Sequence, residues 1–397
     1  MSARRKIGVG VIGFGWLGQA HSRSLLRLPS LFEERRYDPV LVAMADTSPA
    51  RVEHALAAFG FAHGHADWRA VIDDPAVEVV WIATPNMLHR ELVEAVCSAG
   101  KAVFCEKPVG GTPADILAAA TAARDAGVTS GVGYCYRWAP LVRYAAELID
   151  TGELGDIMNY RAQFFSMYGS DPLGLSTWRF DLAQGGYGAS SDLMCHSVDL
   201  AHMLLGPITS VVATTRTFIT ERPLPSGVLT QFGRGRPEDP MEPVTNEDHV
   251  GMLVHFANGA LGTFEASRVL VGPESQNAFN AYGTRGALSW DLEDLNRLRL
   301  YRATSDRGSG YTLVRGGDRF PGHGAFVPGA GNSIGYEDLV AMEDDGFLTA
   351  LADDRPFAPS FEDALAWGAV QAALLRSAET ERWEDVVALD ATADKGR

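Results

Sequence analysis

Cysteine is scarce. Cys97, Cys105, Cys135 and Cys195 are the four in 397 residues, and no two form a Cys-x-x-Cys pair. That spacing argues against a zinc knuckle or a dithiol redox motif, and scattered thiols suit a reducing, cytoplasmic setting. Cationic residues are also in deficit: 34 Lys and Arg stand against 50 Asp and Glu, a net charge of −16. So acidic a chain repels phosphodiester backbones and anionic headgroups. Nucleic acid and membrane are therefore poor partners, whereas a small cationic substrate is tolerated. No apolar run approaches the ~20 residues that a bilayer span needs. The basic start, Met-Ser-Ala-Arg-Arg-Lys, leads into an apolar run broken by glycines and lacks a small-residue cleavage site, so it does not read as a secretion signal. No internal repeat or low-complexity tract is present. What remains is 46% hydrophobic and 21% charged, an ordinary globular composition at a length that calls for two domains.

The first third alternates apolar runs with helical periodicity. Strands are expected at 7–12, 41–45, 77–83, 102–105 and 129–136, and helices at 16–28, after Ser48-Pro49, at 89–99 and after Thr112-Pro113. Ser48 and Thr112 stand at N-cap positions with proline next; Gly60, Gly100 and Gly127 supply the stops. Such alternation predicts an α/β domain over residues 1–133, a doubly wound parallel sheet whose ligands sit beyond the carboxyl ends of its strands. After about residue 150 the strands lose their intervening helices. Runs at 248–257 and 260–268 flank Asn258-Gly259, a two-residue hairpin signal in which both residues take positive φ. Runs at 280–282 and 287–290 flank Gly-Thr-Arg-Gly. Residues 134–397 are thus expected to form an α+β domain on an open, mostly antiparallel sheet. Residues 221–247 and 305–331 read as long loops. Ser360, with Asp363 three residues on, opens a final helix through a capping box.

Gly13-Phe14-Gly15-Trp16-Leu17-Gly18 is G-x-G-x-x-G between a strand and a helix. In that context Gly13 permits the tight turn, Gly15 lets the backbone approach a pyrophosphate, and Gly18 allows close helix–strand packing. The helix N-terminus offers free N–H groups to the phosphates. This is the fingerprint of a Rossmann domain. Asp46 closes the second strand, where a carboxylate accepts hydrogen bonds from the adenosine ribose and repels a 2′-phosphate, favouring NAD over NADP. Ser48 fills the cap role for the next helix, which frees Asp46 for the ribose. Residues 29–39 look inserted before the strand, and their Arg35 and Arg36 keep NADP as the lesser alternative.

Three further pieces follow strands or sit in the second domain: Thr84-Pro85-Asn86 with His89, Glu106-Lys107-Pro108, and Gly185-Gly186 followed by Asp192 and His196 as D-x-x-x-H. The last spacing puts both side chains on one helix face, one turn apart. With Tyr136-Arg137 and Trp178-Arg179-Phe180, these motifs resemble the Gfo/Idh/MocA oxidoreductases over nearly the whole chain. Within that family, Ser176-Thr177-Trp178-Arg179-Phe180, Glu221-Arg222-Pro223-Leu224 and Ile334-Gly335-Tyr336 resemble the levoglucosan, inositol and pyranoside dehydrogenases. The resemblance implies a cleft site between two domains, an often cis Lys107–Pro108 bond, and subunits paired through the open sheet as a dimer or tetramer.

It also implies that Thr84, Asn86, His89, Glu106 and Lys107 line the cofactor, and that Lys107, Tyr136, Arg137, Trp178, Arg179, Asp192 and His196 meet a polyol or sugar. No metal is expected, since His63 and His65 read as lying on a loop. Oxidising an alcohol moves a hydride to a nicotinamide and a proton to a base. His196 is the favoured base because its ordinary pKa lies near neutrality. Asp192 is expected to orient the imidazole or bind substrate, and Lys107 to stabilise developing alkoxide charge. Lys107 becomes the alternative base if burial lowers its pKa. The expected function is NAD-dependent oxidation of a ring secondary hydroxyl of a sugar, anhydrosugar or inositol. Alternatives are an aminosugar or aminoglycoside intermediate as substrate, a ketone or imine reductase using NADPH, and a non-catalytic NAD(P) sensor. Cys195, beside His196, is read as structural.

Overall fold

The computed structural model describes residues 4–224, 233–303 and 309–390; the basic start before residue 4 and parts of the two expected loops lie outside them. In the first domain, β1 (Arg5–Ile12), β2 (Tyr37–Ala45), β3 (His63–His65), β4 (Val79–Ile82), β5 (Ala102–Cys105) and β6 (Ser130–Val132) form one parallel sheet, ordered β3-β2-β1-β4-β5-β6. β1, β2, β4 and β5 are nearly all buried because helices cover both faces. These are α1 (Trp16–Leu31), α2 (Pro49–His54), α3 (Arg69–Asp73), α4 (His89–Ser98) and α5 (Pro113–Ala126). Strand order reverses between β1 and β4, so their carboxyl-end loops, 13–18 and 84–86, border the crevice where such sheets bind ligands.

Several boundaries differ from expectation. α1 runs through Pro29 to Leu31, and β2 starts at Tyr37, so the segment read as an insertion is a helix end and a strand start. The expected final strand stops at Val132 and gives way to a 3₁₀ turn, Cys135–Trp138. His63 and His65 form a short edge strand where a loop was expected.

The second domain contributes α6 (Pro140–Asp150), α7 (Leu182–Gly185) and α8 (Cys195–Leu205). Its nine-stranded sheet comprises β7 (Ile157–Ser166), β8 (Ile208–Arg216), β11 (His249–Phe256), β12 (Leu261–Ser267), β13 (Ser275–Gly283), β14 (Gly286–Asp291), β15 (Arg297–Arg302), β16 (Tyr311–Arg315) and β17 (Glu384–Asp385). A separate ribbon pairs β9 (Glu221–Pro223) with β10 (Met241–Pro243) inside the first expected loop, and β16 lies inside the second. All neighbours in the nine-stranded sheet are antiparallel except β7 and β12. Alternation along β11 puts Val250, Met252, Val254 and Phe256 into the core. The β11–β12 turn uses positive φ at Gly259 alone; Asn258 instead accepts the Ala260 N–H on its side chain and donates to the Leu205 carbonyl, so the connection is longer than two residues.

One element crosses the expected division at 133/134. α9 (Tyr336–Ala352) returns to the first domain, where Ala341, Phe347 and Leu348 share a core with Ile7, Val9, Trp81 and Phe104. Phe347 meets Trp81 edge-on at 5.6 Å and Phe104 at 5.2 Å. Each such fully buried side chain stabilises by about 1.5–3 kcal/mol, enough to hold a late helix on an early sheet. α10 (Phe361–Thr380) packs on α5 and β8 and starts with the expected capping box, Ser360 accepting from Glu362 N–H and Asp363 accepting from Ser360 N–H.

Candidate active site

The glycine turn behaves as its spacing dictates. Gly13 has φ +88°, and a Cβ there would lie 2.6 Å from the Ala83 carbonyl oxygen. A Cβ on Gly18 would lie 2.0 Å from the Gly13 oxygen, whereas one on Gly15 would meet nothing within 4 Å. Gly15 thus borders open space at the start of α1, the place for a diphosphate. Thr84 faces the same turn, its Cγ2 being 2.9 Å from a Cβ at Gly13, and its buried hydroxyl has no protein partner. An open glycine cradle and an orphaned hydroxyl fit a bound dinucleotide. Phe14 is wholly buried, Leu17 is half-buried, and Trp16 is 56% exposed with its ring 5.3 Å from that of Tyr336.

Asp46 takes the Phe14 N–H on one oxygen and the Ser48 N–H on the other, both at 2.8 Å. It ties the glycine turn to the end of β2 and to Ser48, which stands at the N-cap of α2 as expected but makes no side-chain cap bond. Arg51 stands 3.4 Å away. Arg35 and Arg36 precede β2, at its far end from Asp46, roughly 33–36 Å along the strand at ~3.3 Å per residue. Arg35 binds Asp38 at 2.6 Å and Arg36 binds Asp353 at 3.3 Å. Neither is placed to receive a ribose phosphate.

The loops after β4 and β5 are fastened internally. His89 is 1% exposed; its Nδ1 faces the Pro108 carbonyl at 2.7 Å and its Nε2 the Thr84 carbonyl at 2.9 Å. It joins the two loops, with both ring nitrogens occupied. Asn86 donates to the Gly185 carbonyl at 2.8 Å, bridging to the second domain. There Gly186, φ +76°, lies against Gly111, whose carbonyl oxygen would be 2.1 Å from any Cβ. The Glu106 carboxylate accepts the Lys107 N–H at 3.1 Å.

Lys107 follows β5 in a cis Lys107–Pro108 bond, as the resemblance implied. Its ammonium donates to the Asp192 carboxylate at 2.8 Å and to the Asp192 carbonyl at 2.9 Å. Tyr168, which sequence reading missed, donates to the other Asp192 oxygen at 2.9 Å. Asp192 sits in a π-helical turn, Ser190–Met194, ahead of α8. That wider winding changes what the four-residue spacing does: Asp192 turns to Lys107 and Tyr168 and makes no hydrogen bond to His196. Instead Tyr136 packs edge-on against the imidazole at 4.7 Å, with Phe164 at 5.8 Å and Tyr134 at 5.9 Å, while His196 Nδ1 is buried without a partner.

Charges sort cleanly. Burial opposes the charge on Lys107, but Asp192 outweighs it and lifts the pKa above the ordinary lysine value. Burial would raise the Asp192 pKa, yet Lys107, Arg179 and Tyr168 hold it well below the usual carboxylate range. His196 is driven well below the ordinary imidazole value by burial and then by Lys107, with Asp192 opposing. At neutral pH the trio is Lys107 cationic, Asp192 anionic and His196 neutral. The condition for Lys107 to be the base, a lowered pKa, is the reverse of what the site imposes. The Cys195 thiol is pushed up to about 12 by burial, which leaves no thiolate.

Arg179 stacks on Trp178 at 4.2 Å and projects its charge onto Asp192, so both border the site. Phe180 anchors them, lying between the Arg222 and Arg268 guanidinium groups at 3.9 and 4.6 Å. Arg137 differs: it forks onto Asp199, at 2.6 and 2.8 Å, and onto Asp363 at 2.9 Å, joining α8 to the start of α10. The sequence thus assembles Lys107, Asp192, His196, Tyr136, Trp178 and Arg179, while Arg137 and His89 are committed to the scaffold.

The amino-terminal part, residues 7–134, matches the model of the oxidoreductase family with NAD-binding Rossmann fold, and residues 142–289 match the GFO/IDH/MocA C-terminal domain. The chain is 35% identical over 392 residues to levoglucosan dehydrogenase of Pseudarthrobacter phenanthrenivorans, spanning 98% of this chain and 100% of that protein. It is 27% identical over 375 residues to inositol 2-dehydrogenase of Rhizobium meliloti, covering 94% and 97% of the two. A solved levoglucosan dehydrogenase in complex with NADH and levoglucosan superposes with a TM-score of 0.90 at 33% identity, over 96% of this chain and all of that one. With both domains matched end to end, the chain belongs to the Gfo/Idh/MocA family of NAD-binding oxidoreductases.

Proposed function

We propose that this dehydrogenase oxidises a ring secondary hydroxyl of a sugar, anhydrosugar or inositol to a ketone, with His196 as base and Lys107 as the charge stabiliser. The observation that carries the reading is geometric: the Lys107 ammonium is held 2.8 Å from Asp192, at the head of the helix that presents the buried His196. NAD, when bound on the glycine turn, supplies the hydride acceptor. Thr84, Asn86 and Glu106 stand beside the nicotinamide end, and Asp46 receives the adenosine ribose. His196, held neutral, takes the hydroxyl proton on its imidazole. The Lys107 ammonium donates to the same oxygen as negative charge builds there. Asp192 keeps Lys107 protonated and, with Tyr168, aims it. Tyr136, Trp178 and Arg179 provide ring faces and donors for a polyol. The likeness to levoglucosan and inositol dehydrogenases supports that substrate class.

Two measurements test this. Purified protein with NAD should form NADH with at least one of levoglucosan, glucose, myo-inositol or a glucosaminide; none from any polyol overturns the reading. Lys107→Ala should abolish turnover while NAD still binds, and surviving turnover would remove Lys107 from its role. The glucosaminide distinguishes the aminosugar alternative. A sensor that binds NAD without turnover would need none of Lys107, Asp192 and His196 in this arrangement. We further propose a cytoplasmic homo-oligomer, paired through the open face of the nine-stranded sheet, where Leu253, Leu261 and Tyr282 are exposed.

A further inference from the structure

Behind Lys107 lies a buried chain of ionisable groups, His21, Glu106 and Asp344. His21, three residues after Gly18 on α1, is 0% exposed. Its Nε2 is 3.0 Å from Glu106 Oε1, and its Nδ1 is 2.9 Å from Asp344 Oδ1 on α9. The Trp81 indole N–H of β4 also donates to Asp344 Oδ1 at 3.0 Å, and the Lys107 N–H donates to Glu106 Oε2 at 3.1 Å. Both carboxylates thus accept on every side that is observed. A neutral imidazole would turn one lone pair against a carboxylate; two donated bonds need the imidazolium. The Glu106 carboxylate lies flat on Gly133, where a Cβ would come within 2.8 Å of it. A third acid, Glu343, has both oxygens buried and unpartnered, and burial drives its pKa up, so it adds no anion.

We propose that His21 and Asp344 are positioning residues: the ion triad Asp344–His21–Glu106, with His21 doubly protonated, sets the Glu106 carboxylate and through it the backbone that aims Lys107. This rests on Lys107 acting at the reacting oxygen. The groups facing His21 are Asp344 and Glu343 from α9 and Glu106 from the loop after β5; of these, Asp344 and Glu106 hold its proton. Helix α9, remote in sequence, becomes part of the catalytic frame.

Nitrogen NMR of the full chain, with histidines labelled and NAD bound, reads the first part directly. At about pH 8, well above the ordinary imidazole pKa of about 6.5, His21 should still carry protons on both nitrogens, assigned by its loss in His21→Gln. Asp344→Asn should lower the His21 pKa and reduce kcat on the order of 10- to 100-fold, with the NAD dissociation constant within about twofold. Trp81→Phe, which removes one donor to Asp344 and leaves the triad's charges, should shift kcat in the same direction but less. A neutral His21 at that pH overturns the proposal, as does an Asp344→Asn enzyme with unchanged kcat or one that loses NAD affinity in parallel. If Asp344→Asn fails to fold, the wild-type spectrum and Trp81→Phe decide. Should Lys107→Ala retain turnover, the parent reading fails, while the protonation state of His21 is still read independently.

Discussion

At the scale of single residues, the proposed mechanism depends on protonation states. His196 must be neutral to accept a proton, and its depressed pKa puts the acid limb of kcat below the ordinary imidazole value of about 6.5. Lys107 must stay charged, and its raised pKa puts the alkaline limb above the ordinary lysine value. Asp192→Asn removes the charge that lifts Lys107, so the alkaline limb should move toward neutrality; a pH profile of kcat checks this, and an unmoved limb contradicts the assignment. Tyr168→Phe deletes a single donor to Asp192 and should lower kcat/KM several-fold, the equivalent of about 1 kcal/mol for one hydrogen bond. The same His196 shift affects stability. Its folded pKa lies below the unfolded value, so the unfolded chain binds more protons as pH falls below about 6.5, and stability present above that pH is lost beneath it. His202, pushed down to about 4 by burial, acts in the same direction. Melting temperature should therefore fall on acidification through this range, and less steeply in His196→Gln. Tyr168 and His21 were not legible in sequence, because their partners lie 24 and 323 residues away and a lone Tyr or His carries no spacing signal.

Among elements, the glycine turn was legible because each glycine answers a local steric demand. Gly18→Ala would force a Cβ to within 2.0 Å of the Gly13 oxygen, so NAD affinity should drop at least tenfold by fluorescence titration, with turnover at saturating substrate falling alongside. The Ser360 capping box was legible for the same reason: cap chemistry lies within four residues. Ser360→Ala should lower stability by about 1 kcal/mol in urea unfolding. The D-x-x-x-H motif was legible only in part. Four-residue spacing implies one α-helical turn, but the π-helical winding at Ser190–Met194 redirects Asp192 to Lys107. No sequence signal marks that winding, and the partners Asp192 meets there, Lys107 and Tyr168, lie 85 and 24 residues away. The bonds of Asp46 were not legible for a similar reason: it reaches the Phe14 and Ser48 N–H groups only once the glycine turn folds back on β2.

For the whole molecule, the open sheet face carries the remaining prediction. Leu253 and Leu261 lie on adjacent strands, 49% and 51% exposed, and lysine at both should reduce the assembly size in light scattering if that face pairs subunits. A wild-type monomer would remove the proposal. What the sequence by itself determined were features whose causes lie within a few residues: alternating strands and helices, the glycine turn, the caps, and the motifs at strand ends. What only the tertiary structure decided were meetings between distant segments. α9 packs on the first domain's sheet, Arg137 is drawn to Asp199 and Asp363, and Tyr168 and Lys107 share Asp192. The physical reason is that periodicity and capping are local free energies written along the chain, whereas a buried ion pair or a shared core depends on which surfaces the fold brings together.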